Sequence, residues 1–344
     1  MVAKSDFAKK VLEKIRFFEV KWLICTVLMS STVLLSGFSP QWGFWAHKRI
    51  NRLAVYRLPA EMQFFYKKHI DYLSENATNP DKRRYSVVGE AERHFIDLDV
   101  YGDSALLVLP KYWREAIEKM GEDSLRKHGI VPWHIQAAAF QLTDALREKN
   151  VSRILRVSAD LGHYIADSHV PLHTTKNYNG QLSNQEGIHG FWESRLPELF
   201  AGDYDLWIGE AEYRNNIAED VWQTVAASHQ ASDSVFYFEK ELTSNFKPDK
   251  KYSYELRNNI LTRTYSREFS EKYHRMLDHQ VERRMKASVK MVGDVWYTCW
   301  VNAGRPDLGK MESLPSENIN SKGEDVENQT WLQRLFQARP EGDN

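Results

Sequence analysis

The chain has 344 residues, 42% of them hydrophobic and 12% aromatic, with 46 Lys and Arg against 47 Asp and Glu for a formal net charge of -1. These values fit a globular core and exclude a disordered or fibrous chain. A charge so near zero also excludes a broadly basic protein that holds nucleic acid by counterion release alone, but not a site that grips a phosphate locally, because metal ions supply positive charge that no count of side chains includes.

Residues 1–41 stand apart. Up to Lys21 the segment carries six basic residues against three acidic ones, and the uncharged run 22–38 (WLICTVLMSSTVLLSGF) follows. A basic lead before an apolar stretch reads as an export signal peptide, with a membrane anchor as the alternative, since the run is at the lower limit for a spanning helix. Export would place the remainder in the periplasm or outside the cell; retention would tether it to the membrane. Cys25 lies in this segment, so the processed chain keeps only Cys299 and forms no internal disulfide, while all 12 histidines lie downstream of residue 41.

Helical periodicity dominates thereafter. The spacing predicts helices over 43–57, from Pro59 to about residue 70, over 112–127, over 133–149 after Pro132, over 151–167 before Pro171, over 190–199, over 210–232 and over 262–301. Runs of alternating β-branched residues are almost absent. The polar stretch 174–188 (TTKNYNGQLSNQEGI) is a loop by composition. From Gly304 onward the Pro, Ser, Glu and Asn content predicts a disordered tail over 304–344. The expected architecture is a single all-α, mostly helical domain over 42–303, and a monomer.

The densest chemical signal is LGHYIADSHVPLH, with His163, Asp167, His169 and His173, followed by HGFWE with His189 and Glu193. His163 and Asp167 are four residues apart on one predicted helix face, and His189 and Glu193 repeat that spacing on the next. One such pair is usually a helix brace. Two matched pairs joined by His173 point to metal binding, because neutral imidazole and carboxylate are natural zinc ligands. His169 falls off this register and reads as structural. Upstream, NPDKRR offers Asp81 and Arg84, and RRYSVVGEAERHFIDLD offers His94, Phe95, Asp97 and Asp99; alone these are ordinary charged segments. WGFWAH offers Trp42 and His47, and export at residue 42 would free an α-amino group able to chelate a metal together with its own carbonyl.

Taken in order, W-G-x-x-x-H, D-x-x-R, H-F-I-D, H-x-x-x-D-x-x-x-P-L-H and H-x-x-W-E over residues 42–193 resemble the superfamily of zinc-dependent single-strand nucleases and bacterial zinc phospholipases C. The resemblance implies the mostly helical fold of that superfamily and three Zn2+ ions. One would be held by Asp81, His94, His163 and Asp167, a second by the amine and carbonyl of Trp42 with His47 and a bridging Asp167, the third by His173, His189 and Glu193. It also implies hydrolysis of phosphodiesters by a metal-activated water, with Asp81 and Arg84 in the catalytic machinery and the Arg84 guanidinium on the phosphoryl oxygens. Phe95 and Asp97 would stack on and hydrogen-bond a base.

The zinc cluster alone does not choose the substrate. The gap between Trp42 and His47, the D-x-x-R pair and Phe95 with Asp97 favour single-stranded DNA or RNA, cut to 5′-phosphates. Glu193 in place of Asp, a shorter loop 174–188 without a double glycine, and the missing disulfides lean toward the alternative, a phospholipase C acting on phospholipid head groups. A third reading is a zinc-stabilised, membrane-tethered helical protein without turnover, in which Trp42 is never released.

Overall fold

The computed structural model describes residues 43–257 and 260–311. The leader 1–41, Trp42 and the tail beyond Met311 lie outside the described residues. The described chain belongs to one unit, Trp42–Asn344, and is mostly helical, as the periodicity predicts. None of its helices is long and apolar enough to cross a membrane.

Helix α1 (Gly43–Val55) buries Ala46, His47, Ile50, Asn51, Ala54 and Val55, a stripe at three- and four-residue spacing. Pro59, with φ -64°, precedes α2 (Ala60–Lys68); α3 (Ile70–Glu75) follows a break at His69, and Pro80 lies in the first turn of α4 (Asn79–Arg83). After α5 (Ala105–Val108), the helix expected over 112–127 forms as α6 (Trp113–Met120) and α7 (Glu122–Lys127), parted by Gly121 at φ 78°. Helix α8 (Val131–Arg147) starts with Pro132 in its first turn, and α9 (Val151–Ser168) starts where the Asn150 side chain accepts a hydrogen bond from the Arg153 amide.

Helix α9 is the centre of the fold. It buries 13 of its 18 residues and packs against α1, α3, α8 and two later helices, α12 (Ile217–Asn245) and α14 (Gln280–Asn302). Polar groups on its inner faces are satisfied: Tyr66 Oη meets Ser158 Oγ at 3.0 Å, and Trp296 Nε1 donates to the Ser158 carbonyl at 3.1 Å. The larger core surrounds these helices, with Trp296, Tyr66, Leu155 and Ile165 fully buried. A second core gathers Phe191, Tyr265, Phe269 and Tyr273; Phe191 stacks on Tyr265 at 3.8 Å between ring centroids and on Tyr273 at 4.7 Å.

The structure departs from the sequence reading in further places. Residues 260–265, partly assigned to a helix, form strand β2 (Ile260–Tyr265), antiparallel to β1 (Tyr252–Arg257), with Tyr252 opposite Tyr265 and Arg257 opposite Ile260. Aromatic and β-branched residues in a half-buried ladder prefer strand, and Glu255 and Arg257 anchor it through ion pairs to Arg195 and Glu198. The rest of that expected helix is α13 (Arg267–Met276) and α14, separated at Asp278 and His279, both with positive φ. The helix expected over 190–199 is α10 (Ile188–Gly190), a π turn (Phe191–Arg195) and α11 (Leu196–Phe200). Pro197 has no amide hydrogen and its ring crowds the carbonyl of residue 193, so the preceding turn widens. Finally, α12 begins at Ile217 rather than 210 and runs on to Asn245. Beyond Gly304, where the sequence reading starts the tail, the described chain continues to Met311 with Leu308 buried.

Candidate metal centre

The candidate residues meet where α9 ends, between the two cores. His163 and Asp167 leave α9 on the same face, four residues apart and both buried. Helix α1 crosses α9 closely enough that a Cβ on Gly162 would lie 2.0 Å from Asn51 Oδ1. Asn51 Nδ2 spans the crossing, donating to the carbonyls of Leu73 at 3.2 Å and Ala159 at 3.0 Å. One turn before Asn51, the His47 ring therefore stacks on His163 at 4.0 Å, and its Nε2 lies 3.3 Å from Asp167 Oδ1.

His94, after the 3-10 turn Ala91–Arg93, approaches the other oxygen of the same carboxylate, and Asp81 on α4 faces His94 and His163. His94 Nδ1 is 2.9 Å from Asp167 Oδ2, 3.0 Å from His163 Nε2 and 3.6 Å from Asp81 Oδ1. His163 Nε2 is 3.1 Å from Asp167 Oδ2 and 3.5 Å from Asp81 Oδ1. Two hydrogen bonds tie this segment to the next: Ile96 N donates to the His173 carbonyl at 2.9 Å, and His173 Nδ1 donates to the His94 carbonyl at 2.6 Å.

The remaining donors come through the loop 174–188, which the sequence reading predicted as a loop. Thr175 Oγ1 donates to Asp99, Asn179 Oδ1 accepts from the Gly187 amide at 3.0 Å, and Gln185 Nε2 donates to the buried Glu239 at 2.7 Å. The loop thereby delivers His189 at the head of the π turn. Its Nε2 lies 2.7 Å from Glu193 Oε2, and His173 Nε2 lies 3.5 Å from the same oxygen. Glu193 Oε1 in turn is 3.9 Å from His47 Nε2, and a Cβ on Gly43 would stand 3.0 Å from it. Trp42, the preceding residue, lies outside the described residues.

Among the described residues three donor sets result: His47, His163 and Asp167; Asp81, His94 and His163; His173, His189 and Glu193, with the ligand atoms of each within 4.8 Å of one another. The tautomers test whether a cation fits. His163 gives its Nδ1 proton to the Ala77 carbonyl at 2.8 Å, so in the neutral ring Nε2 is a lone pair facing two carboxylates. His173 is arranged alike through the His94 carbonyl, and its Nε2 is buried without a hydrogen-bond partner. Acceptor atoms face acceptor atoms, a repulsive arrangement unless extra protons or shared cations lie between them. A tetrahedral ion with ligand bonds of about 2.0–2.2 Å separates its ligand atoms by about 3.3–3.6 Å, close to the spacings found here. The donor set of five imidazoles and three carboxylates fits zinc.

Burial by itself would raise the Asp167 carboxyl, but the charges of His163 and His173, with hydrogen bonds from His163 and His47, hold it well below the usual carboxylate range. Glu193 is likewise held low against its burial, by hydrogen bonds and charge from His173 and His189. For His94 burial pulls downward, yet Asp167 and Glu90 together raise it; for His173 burial is outweighed by Asp167 and Glu193.

The other expected site residues are also placed. Arg84 is buried just after α4, and its charge acts on His94. Asp97 is buried with a carboxylate oxygen 4.0 Å from His128 Nδ1. Phe95 keeps only 7% of its surface. The loop before α8 lies against it: Gly129, at φ 88°, is placed so that a Cβ would fall 2.2 Å from the Phe95 carbonyl oxygen, and only glycine suits that position. His169 lies outside all three donor sets, as its register predicts; it is buried and its Nδ1 donates to the Ile165 carbonyl at 2.8 Å. The sequence reading missed Asn51, and it missed Glu90 with Tyr164 behind His94. The four-residue spacing of Glu90 and His94 was the available signal.

No family model matches the chain. A stretch of 200 residues, 53% of the chain, is 24% identical to Nuclease S1 of Aspergillus oryzae and spans 64% of that protein, a little under two thirds of its length.

Proposed function

We propose that this chain is a zinc-dependent phosphodiesterase that hydrolyses single-stranded DNA or RNA to products bearing 5′-phosphates. The observation that carries the reading is the convergence of His47, Asp81, His94, His163, Asp167, His173, His189 and Glu193 on three adjoining donor sets, two of which share His163. The similarity to a protein named Nuclease S1 supports a nucleic acid as the substrate.

Asp81, His94, His163 and Asp167 would hold one zinc, His47 and Asp167 with the amine and carbonyl of Trp42 a second, and His173, His189 and Glu193 the third. When bound, the ions supply Lewis acidity toward the phosphodiester and lower the pKa of water toward neutrality. The protein's own part is orientation. Backbone carbonyls of Ala77, His94 and Tyr178 face the Nδ1 atoms of His163, His173 and His189, turning each Nε2 inward. Arg84 holds the equatorial phosphoryl oxygens, where a guanidinium fork matches growing negative charge. Asp97 accepts a hydrogen bond from a base at the rim, and Phe95 offers what ring edge Gly129 leaves uncovered. Since Trp42 chelates only as a free terminus, the reading includes export and removal of 1–41, with a periplasmic or secreted product.

The test compares single-stranded DNA, RNA and phosphatidylcholine as substrates of the processed protein, with and without chelator, alongside its zinc content. Chelator-sensitive cleavage of the nucleic acids, with about three zinc ions per chain, is the expected result. Hydrolysis of the lipid alone would replace the substrate, and activity that survives complete zinc removal would end the reading.

A further inference from the structure

His94 differs from the other imidazoles in how it is oriented. His163, His173 and His189 each set Nδ1 against a backbone carbonyl and present Nε2 to the carboxylates. His94 does the reverse: Nδ1 faces Asp167, Asp81 and His163. Its Nε2 points away from the cluster into a fully buried position and, among the described residues, has no hydrogen-bond partner. Oε1 of Glu90, a residue only 1% exposed, lies 3.7 Å away.

Glu90 is fixed from behind. Tyr164 Oη donates to Oε1, while Arg93 Nη1 at 3.2 Å and Arg83 Nε at 3.5 Å approach Oε2. Arg83 is braced in turn by Asp160, at 3.0 Å from Nη2. These contacts aim one carboxylate oxygen at the His94 ring. Turning that ring over would set carbon atoms against both Glu90 and the cluster, so rotation offers no alternative arrangement.

We infer that Glu90 is a positioning residue, which accepts a hydrogen bond from Nε2–H of His94 and so fixes the tautomer that delivers Nδ1 to the ion shared with Asp81 and His163. The inference rests on the zinc-centre reading above. A carboxylate in this role, rather than a carbonyl, also makes the imidazole a stronger donor. The 3.7 Å found here is within about 1 Å of hydrogen-bond distance.

Two measurements test it on the processed full-length protein. The first is 15N NMR of the zinc-loaded wild type with labelled histidine, which needs no variant. His94 should show a metal-bound Nδ1 and a protonated Nε2; a metal-bound Nε2 on His94 overturns the inference. The second is competition for zinc against a chromophoric chelator, with circular dichroism as the check on folding. Glu90→Gln should weaken one zinc of three by about 10-fold and Glu90→Leu by about 100-fold, leaving the other two within about twofold. Folded variants that hold every zinc as tightly as wild type would also overturn it. A wild type that takes up no zinc would instead remove the zinc-centre reading itself, an outcome distinct from either result.

Discussion

Gly162 rests against Asn51 at the crossing of α1 and α9, with room for no Cβ: the position it would occupy is 2.0 Å from Asn51 Oδ1 and 2.8 Å from Cγ. The same crossing stacks His47 on His163. A helix-interior glycine ordinarily costs about 1 kcal/mol relative to alanine, so this one is present for the approach it permits. Gly162→Ala would expel a buried amide from its hydrogen bonds to Leu73 and Ala159. Strain and lost hydrogen bonds together should destabilise the chain by about 2–4 kcal/mol, against the usual gain from Gly→Ala in a helix. Chemical denaturation of the two proteins measures the difference, and an unchanged or raised stability would refute the account of the crossing.

How far the sequence reveals this arrangement depends on the range of the interaction. His163 with Asp167 and His189 with Glu193 were legible because a helix converts a spacing of four into a shared face. The docking of His94 beside His173 was not, since it rests on hydrogen bonds to backbone carbonyls across 77 to 79 positions of chain, which no local pattern encodes. The Asn51 and Gly162 crossing is hidden for the same reason: each residue alone reads as an indifferent helix position. The hairpin was missed because Tyr252–Arg257 and Ile260–Tyr265 owe their pairing to tertiary anchors, Arg195 and Glu198, as much as to β propensity.

The three donor sets are unequally coupled. Asp167 faces His47 through Oδ1 and His94 and His163 through Oδ2, so in the proposed centre it serves two ions, while His189 serves one. Asp167→Ala should therefore lower zinc content by two ions per chain and abolish activity, whereas His189→Ala should remove one ion and leave the other two bound. Elemental analysis of the folded, dialysed variants reads this directly. Equal losses from the two substitutions would show that the sets do not bind as separate sites.

His134 lies edge-on to Tyr164, its ring centroid 4.4 Å away, and burial together with the nearby charge of Arg93 pushes its pKa down to about 3. The folded chain keeps this imidazole neutral while the unfolded chain protonates it near pH 6.5. Between those values the unfolded state binds more protons, so the native state gains stability as pH rises and loses it as pH falls from about 6.5 toward 3. At pH 5 the loss from this one group is about 2 kcal/mol. His134→Gln should flatten the acid limb of a stability profile by that amount and leave stability near pH 8 less affected. A profile of unchanged slope would count against a neutral His134 in the folded chain.

Metal-free protein should respond to alkali in the opposite sense from the zinc-loaded form. With the ions removed, Asp167 and Glu193 are held low and His94 and His173 high by one another. The depressed carboxylates contribute stability that is present above about pH 4 and lost as pH falls through their folded values. The raised imidazoles contribute stability that is full below about pH 6.5 and lost as pH rises through their folded values. Above that point the lone pairs face the carboxylates with nothing between them, and the empty cluster repels itself. Zinc needs those lone pairs, so its binding strengthens over the same interval as protons cease to compete. Thermal melts from pH 6 to pH 9 should accordingly show the Tm of the chelated chain falling while that of the zinc-loaded chain holds or rises. Parallel curves would mean that the imidazoles and carboxylates do not share protons in the absence of metal, and nothing in their tautomers would then call for a cation at this site.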